Sequence, residues 1–222
     1  MAIEQENGAA GDIVLVHSSD LHVDDDRIAA LHAGDGAAGL RDVLTTAREL
    51  GADIVLLAGD TFDNHMVSAA TVDRAGKALA DAGLPIVLLP GNHDPLTKDS
   101  VYIRGGYATI PNLSIIGITH DRAVEFPRHD LEIWGNAHRD YLDMVPLHNP
   151  LRPSWLISDA MIRETQADYL ALGHWDRAVK VGCGAVPAYY SGSPEYVHTV
   201  NLVRLTHNGD VIVSREEVRR PA

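Results

Sequence analysis

Ile13-Val14-Leu15-Val16-His17-Ser18-Ser19-Asp20-Leu21-His22 is an aliphatic run that stops at small polar residues and delivers a carboxylate and an imidazole two positions apart. Two later stretches are built alike. Ile54-Val55-Leu56-Leu57-Ala58 leads into Gly59-Asp60-Thr61-Phe62-Asp63, and Ile86-Val87-Leu88-Leu89 leads through Pro90 into Gly91-Asn92-His93-Asp94. Runs this short and continuously apolar read as strands buried on both faces of a mainly parallel sheet. Parallel strands end on the same side, so their polar tails gather at one edge, the edge where open α/β sheets bind ligands.

Helical patterns fill the gaps between these strands, as βαβ units require. Leu40, Val43, Leu44, Ala47 and Leu50 make a helical stripe that stops at Gly51, and Val67 to Ala82 repeats the scheme before Gly83. From Leu113 to Ile118, Ala123 to Phe126 and Leu131 to Trp134 the texture becomes successive strands with short turns, a more antiparallel half. Ser158 is placed to cap a short helix to Thr165, and Tyr169 to Leu172 is a further strand entering Gly173-His174-Trp175-Asp176. Asn208-Gly209, between Val200–Thr206 and Val211–Val218, marks a tight hairpin. Residues 12–218 thus read as a single domain with no capping domain, residues 1–11 as a flexible tail.

The chain has 222 residues, 45% of them hydrophobic, enough for one well-buried core. Its one cysteine, Cys183, excludes a disulfide framework, and no signal-like leader precedes Ile13, so a cytoplasmic setting is expected. No apolar stretch reaches the roughly 20 residues of a membrane span. A formal charge of -13 works against nonspecific attraction to a polyanion, so nucleic acid is a possible but disfavoured partner.

The residue types at the strand ends suit one chemistry. Hydrolysing a phosphate ester requires a nucleophilic hydroxide and neutralised phosphoryl charge, and two cations about 3.5–4 Å apart provide both. Oxygen donors mixed with imidazoles favour two divalent transition ions, manganese, iron or zinc. Asp20 and His22 can face one ion from an irregular turn or from one strand face. Asp60, after a glycine at a strand end, is the candidate bridge. Asn92 offers a neutral oxygen, and His93 can protonate the leaving group. Asp94 is the other catalytic candidate, although it and Asp63 fit a helix cap or an acceptor behind the ligands at least as well. His17 is expected to support the site from behind. Tyr102, Tyr107 and Tyr141 read as half-buried tyrosines, with substrate or dimer contacts as the other reading.

These motifs, with Ala171-Leu172-Gly173-His174 and Tyr190-Ser191-Gly192-Ser193-Pro194-Glu195, resemble the calcineurin-like metallophosphoesterase superfamily, most closely the branch of DNA repair exonucleases. The resemblance spans Ile13 to Val218 and implies an α/β fold, a four-layer αββα sandwich with mixed sheets and a dinuclear centre at one edge. It assigns Asp20 and His22 to the first ion, Asp60 to both, Asn92 and His174 to the second, and His93 to the leaving group.

Two departures qualify that assignment. The family pattern ends Gly-His-x-His, whereas Asp176 holds the last position here; an aspartate still ligates and shifts preference toward harder ions. The family also places a histidine after an apolar strand ahead of Gly-His, yet Ser154–Ile157 runs directly into Ser158-Asp159. His120, His138 and His148 are the nearby imidazoles, each more in keeping with a turn or solvent position. The expected function is a metal-dependent phosphoesterase, with metal-activated hydroxide attacking a phosphodiester or phosphomonoester in line. A repair-type nuclease, with Arg104, Arg122, Arg128, Arg139, Arg152 and Arg163 as a phosphate-reading wall, and a catalytically weakened scaffold are the alternatives.

Overall fold

A computed structural model describes residues 11–139 and 157–219. The expected tail, apart from Gly11, lies outside the described residues, as do Tyr141, His148, Arg152 and Ser154 to Leu156 of the expected strand. In chain order, β1 (Ile13–Ser18) leads through α1 (Asp26–Leu31) and α2 (Ala38–Glu49) to β2 (Ile54–Ala58), and α3 (Ala69–Ala80) leads to β3 (Ile86–Leu89). The short α4 (Val101–Arg104) precedes β4 (Leu113–Ile115), β5 (Ala123–Phe126) and β6 (Leu131–Trp134). Then come α5 (Asp159–Glu164), β7 (Leu170–Leu172), β8 (Val179–Val181), β9 (Ala188–Tyr190), α6 (Pro194–Val197), β10 (Thr199–Leu205) and β11 (Val211–Glu217).

The main sheet has the order β11-β10-β1-β2-β3-β4. Its strands β1 to β4 are parallel, with Val16 beside Val55 and Leu57 beside Leu88, while β10 runs antiparallel to β1 and β11 to β10. β5 and β6 form an antiparallel pair, and β7-β9-β8 a small mixed sheet.

Strand alternation builds the layers. Val16, Val55, Leu57, Ile86 and Leu88 pack with Leu40, Val43 and Ala47 of α2 and Val72, Ala75 and Leu79 of α3. Their neighbours Leu15, Ile54, Leu56 and Val87 point the other way, against Val124, Phe126 and Ile133 of the β5–β6 pair and Tyr169 and Ala171 at β7. A third, smaller core joins Ile162 of α5 to Val186, Ala188, Leu170 and Leu172 on the outer side of the small sheet. Helices, sheet, sheets and helix are the expected αββα order.

Local chemistry explains the boundaries. α3 starts at Ser68, whose side chain accepts the Thr71 amide, and Ser158 caps α5 through the Met161 amide. The strand expected to reach Ile118 stops at Ile115, because the Ile115 amide bonds the Thr119 hydroxyl and Gly117 turns the chain at φ 89°. The last hairpin is less tight than a two-residue Asn-Gly turn. The Gly209 amide bonds the Thr206 carbonyl and Gly209 takes φ 86°, a three-residue loop with a bulge. Tyr102 and Tyr107, expected to be half-buried, are fully buried, and their rings surround Phe62 at 5.7 and 5.9 Å. No helix among the described residues is long and apolar enough to cross a membrane.

The third core is small, so its one fully buried aliphatic on α5 carries much of it. Ile162→Ala is expected to cost about 2–4 kcal/mol and to raise amide exchange first in β7 and β9. Urea unfolding and exchange mass spectrometry check both.

Candidate metal centre

Asp20, Asp60 and Asn92 follow the carboxyl ends of β1, β2 and β3, and hydrogen bonds between loops fix them. The Asp20 amide donates to the Gly59 carbonyl at 3.2 Å, the His22 amide to the Asp60 carbonyl at 3.1 Å, and the His93 amide to Asp60 Oδ1 at 2.9 Å. Asp20, His22, Asp60 and His174 adopt positive φ, at 54°, 43°, 49° and 83°. Side chains rarely accept that left-handed region, and such residues concentrate where a site dictates the backbone. A side chain on Gly91 would run into the Asp60 carboxylate, so the third loop reaches the second only because that position is glycine.

Donor atoms of Asp20, His22 and Asp176 lie within 4.8 Å of one another. His174 Nδ1 and Asn92 Oδ1 lie 2.9 Å apart. Asp60 lines a cavity of about 140 Å³ together with Asn92 and His174, and its charge acts on Asp20. The positions singled out in the sequence therefore converge, Asp176 among them. His22 Nδ1 faces Asp63 Oδ1 at 3.4 Å, and the His22 and His93 rings meet edge to face at 4.7 Å. His93 Nδ1 lies 2.8 Å from the Asp63 carbonyl, which can only accept, so Nδ1 carries the hydrogen and Nε2 is left for chemistry.

Asp94 is only 2% exposed, and its carboxylate is spent on groups outside the candidate ligand set. Its Oδ2 accepts the Phe62 amide at 2.9 Å and the Tyr102 hydroxyl at 2.5 Å, and its Oδ1 accepts the Gly91 amide at 2.7 Å. It ties the second loop to the third. His17 is buried between the sheets, 2.8 Å from the Tyr169 hydroxyl, and burial drives its pKa down to about 3, so it is neutral. His120 is engaged by Thr119 in the turn after β4.

His138, which the sequence did not favour, lines the same cavity as Asp60, Asn92 and His174. Its amide donates to the Pro90 carbonyl at 3.2 Å and its carbonyl accepts the Leu96 amide at 2.7 Å, bracketing the Gly91–Asp94 loop. A signal was present: Gly135-Asn136-Ala137-His138 follows the end of β6 as the three quoted motifs follow theirs. Ser19, 2.5 Å from Asp20 Oδ2 and 2.7 Å from the Ser191 hydroxyl, was also missed.

A pair of divalent cations fits this donor set, in which oxygens and imidazoles surround two buried carboxylates that repel each other. Burial, with the charges of Asp60 and Asp176, pushes Asp20 up to about 7 against the opposing Ser19 hydrogen bond. Asp94 is pushed up to about 6, again first by burial. Both pKa values are raised by folding, so this stabilisation is complete below the unfolded value of 3.8 and is lost as pH rises to about 6 and 7. Metal-free protein is therefore expected to melt at falling temperature from pH 5 to pH 8, and Asp20→Asn to flatten that slope while abolishing cation-induced stabilisation. Scanning calorimetry with and without manganese checks both signs.

Comparison with known proteins agrees with the geometry. The sequence profile of calcineurin-like phosphoesterases matches residues 13–177. The DNA double-strand break repair protein Mre11 of Archaeoglobus fulgidus is 22% identical over 243 aligned positions, covering 92% of this chain and 55% of that protein. A UDP-2,3-diacylglucosamine hydrolase of Xanthomonas oryzae pv. oryzae is 31% identical over 106 positions, covering 45% of this chain and 40% of the hydrolase. The chain thus spans about half the length of these relatives or less. Among solved structures, TT1561 of Thermus thermophilus superposes with a TM-score of 0.64 at 14% identity, over 93% of this chain and 99% of that one. An archaeal phosphodiesterase gives 0.50 at 16% identity, over 92% and 100%. The chain belongs to the calcineurin-like phosphoesterase family.

Proposed function

We propose that this hydrolase cleaves small phosphodiesters or phosphomonoesters at a dinuclear centre of manganese, iron or zinc. The observation that supports this reading most is the clustering of the Asp20, His22 and Asp176 donor atoms near a cavity that Asp60, Asn92 and His174 line together. On this reading Asp20, His22 and Asp176 hold the first ion, Asp60 bridges, and Asn92 and His174 hold the second. His138 supplies a further imidazole in place of the histidine that the family pattern has, and this sequence lacks, after the apolar run ending at Ile157. When bound, the ions provide the nucleophile and neutralise phosphoryl charge. His93, with Nδ1–H committed to the Asp63 carbonyl, acts as the acid only in its imidazolium form, when Nε2 has taken up a second proton that it passes to the leaving-group oxygen. Asp94 acts through the backbone: it sets the distance between the loops bearing Asp60 and Asn92 and is a positioning residue. An exposed free thiol, Cys183, is in keeping with a reducing, cytoplasmic setting.

The likeness to Mre11 favours a second reading, a nuclease. Against it, Arg104 is committed to the His65 and Val67 carbonyls and Arg163 lies against the Cys183 sulfur, so neither extends the suggested phosphate-reading wall. The groove bearing Arg41, Arg48, Arg74 and Lys77 lies between α2 and α3 and shares no residue with the metal edge.

The test is to strip the protein, reload it with manganese, iron or zinc, and compare a chromogenic phosphodiester, a phosphomonoester and single-stranded DNA. Hydrolysis of the small esters with His93→Ala lowering kcat by about 10²–10⁴ is the expected result. Turnover of DNA alone, weakening steeply with salt, selects the nuclease; no turnover with any ion selects the weakened scaffold. Metal analysis tests the ligands separately: Asp176→Ala and His138→Ala are each expected to lower bound metal per chain, and unchanged content removes that residue from the set.

A further inference from the structure

Trp175 stands between His174 and Asp176, two of the candidate ligands, yet it is 48% exposed. The ring has an aromatic partner, Tyr190, at 5.4 Å between centroids and 44° between planes. Tyr190 ends β9 beside Leu172 at the end of β7, close enough to Asp20 for the carboxylate to act on its hydroxyl. The two rings thus continue the metal edge outward.

The segment carrying Trp175 is held by backbone on both sides. The Ser193 amide donates to the Asp176 carbonyl at 3.3 Å. A side chain at Gly192 would come within 2.7 Å of the Ala178 nitrogen and 2.9 Å of the Asp176 oxygen, and one at Gly173 would strike the Ala58 carbonyl. A half-exposed ring on so fixed a segment loses little freedom when a flat ligand lies on it.

We propose that Trp175, backed by Tyr190, is a stacking wall that binds a planar aromatic group carried by the phosphoester, a nucleobase or an aryl ring. The inference rests on the phosphoesterase reading and adds the substrate class. Both chain neighbours of Trp175, His174 and Asp176, are proposed ligands of the ions, and its ring partner Tyr190 lies near Asp20, so a substituent leaving an ion-bound phosphoryl group on that side meets the ring. Stacking accepts any base, because every base has a π face.

The manganese-loaded full chain is assayed on three p-nitrophenyl esters sharing one leaving group: those of thymidine 5′-monophosphate, phenyl phosphate and methyl phosphate. Trp175→Ala is expected to lower the ratio of kcat/KM for either aromatic ester over the methyl ester by about tenfold or more, mainly through KM, and Trp175→Phe to restore most of it. Loss of the thymidine preference alone assigns the wall to nucleobases, and loss of both to flat rings generally. Equal loss on all three that Trp175→Phe restores assigns the wall to the shared nitrophenyl ring; no loss on any ester, or equal loss that Trp175→Phe does not restore, overturns the proposal. Independently of turnover, thymidine 5′-monophosphate is expected to quench tryptophan fluorescence where ribose 5-phosphate does not, and Trp175→Phe to abolish the difference. If no ester is cleaved, the phosphoesterase reading fails, and this quenching alone decides the stacking wall. Persistence of the difference in Trp175→Phe, or its absence in the parent chain, overturns it.

Discussion

A carboxylate buried as deeply as Asp94 is unfavourable unless donors surround it, and here the donors are the Phe62 amide, the Gly91 amide and the Tyr102 hydroxyl. Two of the three belong to loops that would otherwise part beyond the ends of β2 and β3. With the loops joined, Gly91 can lie against Asp60, the His93 amide can reach the Asp60 carboxylate, and Asn92 is brought beside His174. Tyr102 makes the tie part of the core, since its ring packs on Phe62 and Tyr107 beneath the site. The metal edge is thus carried by a polar contact whose own footing is hydrophobic.

Much of this was legible in the sequence because burial on both faces leaves a strong mark. β1, β2 and β3 stand where continuous aliphatic runs placed them, and the polar residues after each run converge as parallel strands require. The left-handed backbone at Asp20, His22, Asp60 and His174 left no such mark, since it is imposed by hydrogen bonds between loops distant in the chain. Tyr102 and Tyr107 were misread for a related reason: their hydroxyls find the Asp94 carboxylate and the Val72 carbonyl, partners invisible to local pattern. His138 escaped because a histidine four residues past a half-exposed strand looks like any turn histidine until β6 is placed against β3 and the Asn92 loop.

The carboxylates also set stability against function. Folding brings Asp20 and Asp60 together at 1% and 2% exposure and adds Asp176 nearby, an arrangement that raises the proton affinity of Asp20. The aspartate at the last motif position adds to that repulsion, since the Asp176 charge is one of those that raise Asp20.

β1 pairs with β10, Ile13 opposite Leu205, although almost every other element of the fold lies between them in sequence. As the protein leaves the ribosome, β1 and β2 emerge early, but the strand that flanks β1 on its other side arrives after every other strand except β11. Closing so long a loop is slow. The strand that delivers Asp20 is therefore paired on both sides only once β10 has been made, and the sheet edge bearing the candidate ligands is closed by a contact that spans nearly the whole chain.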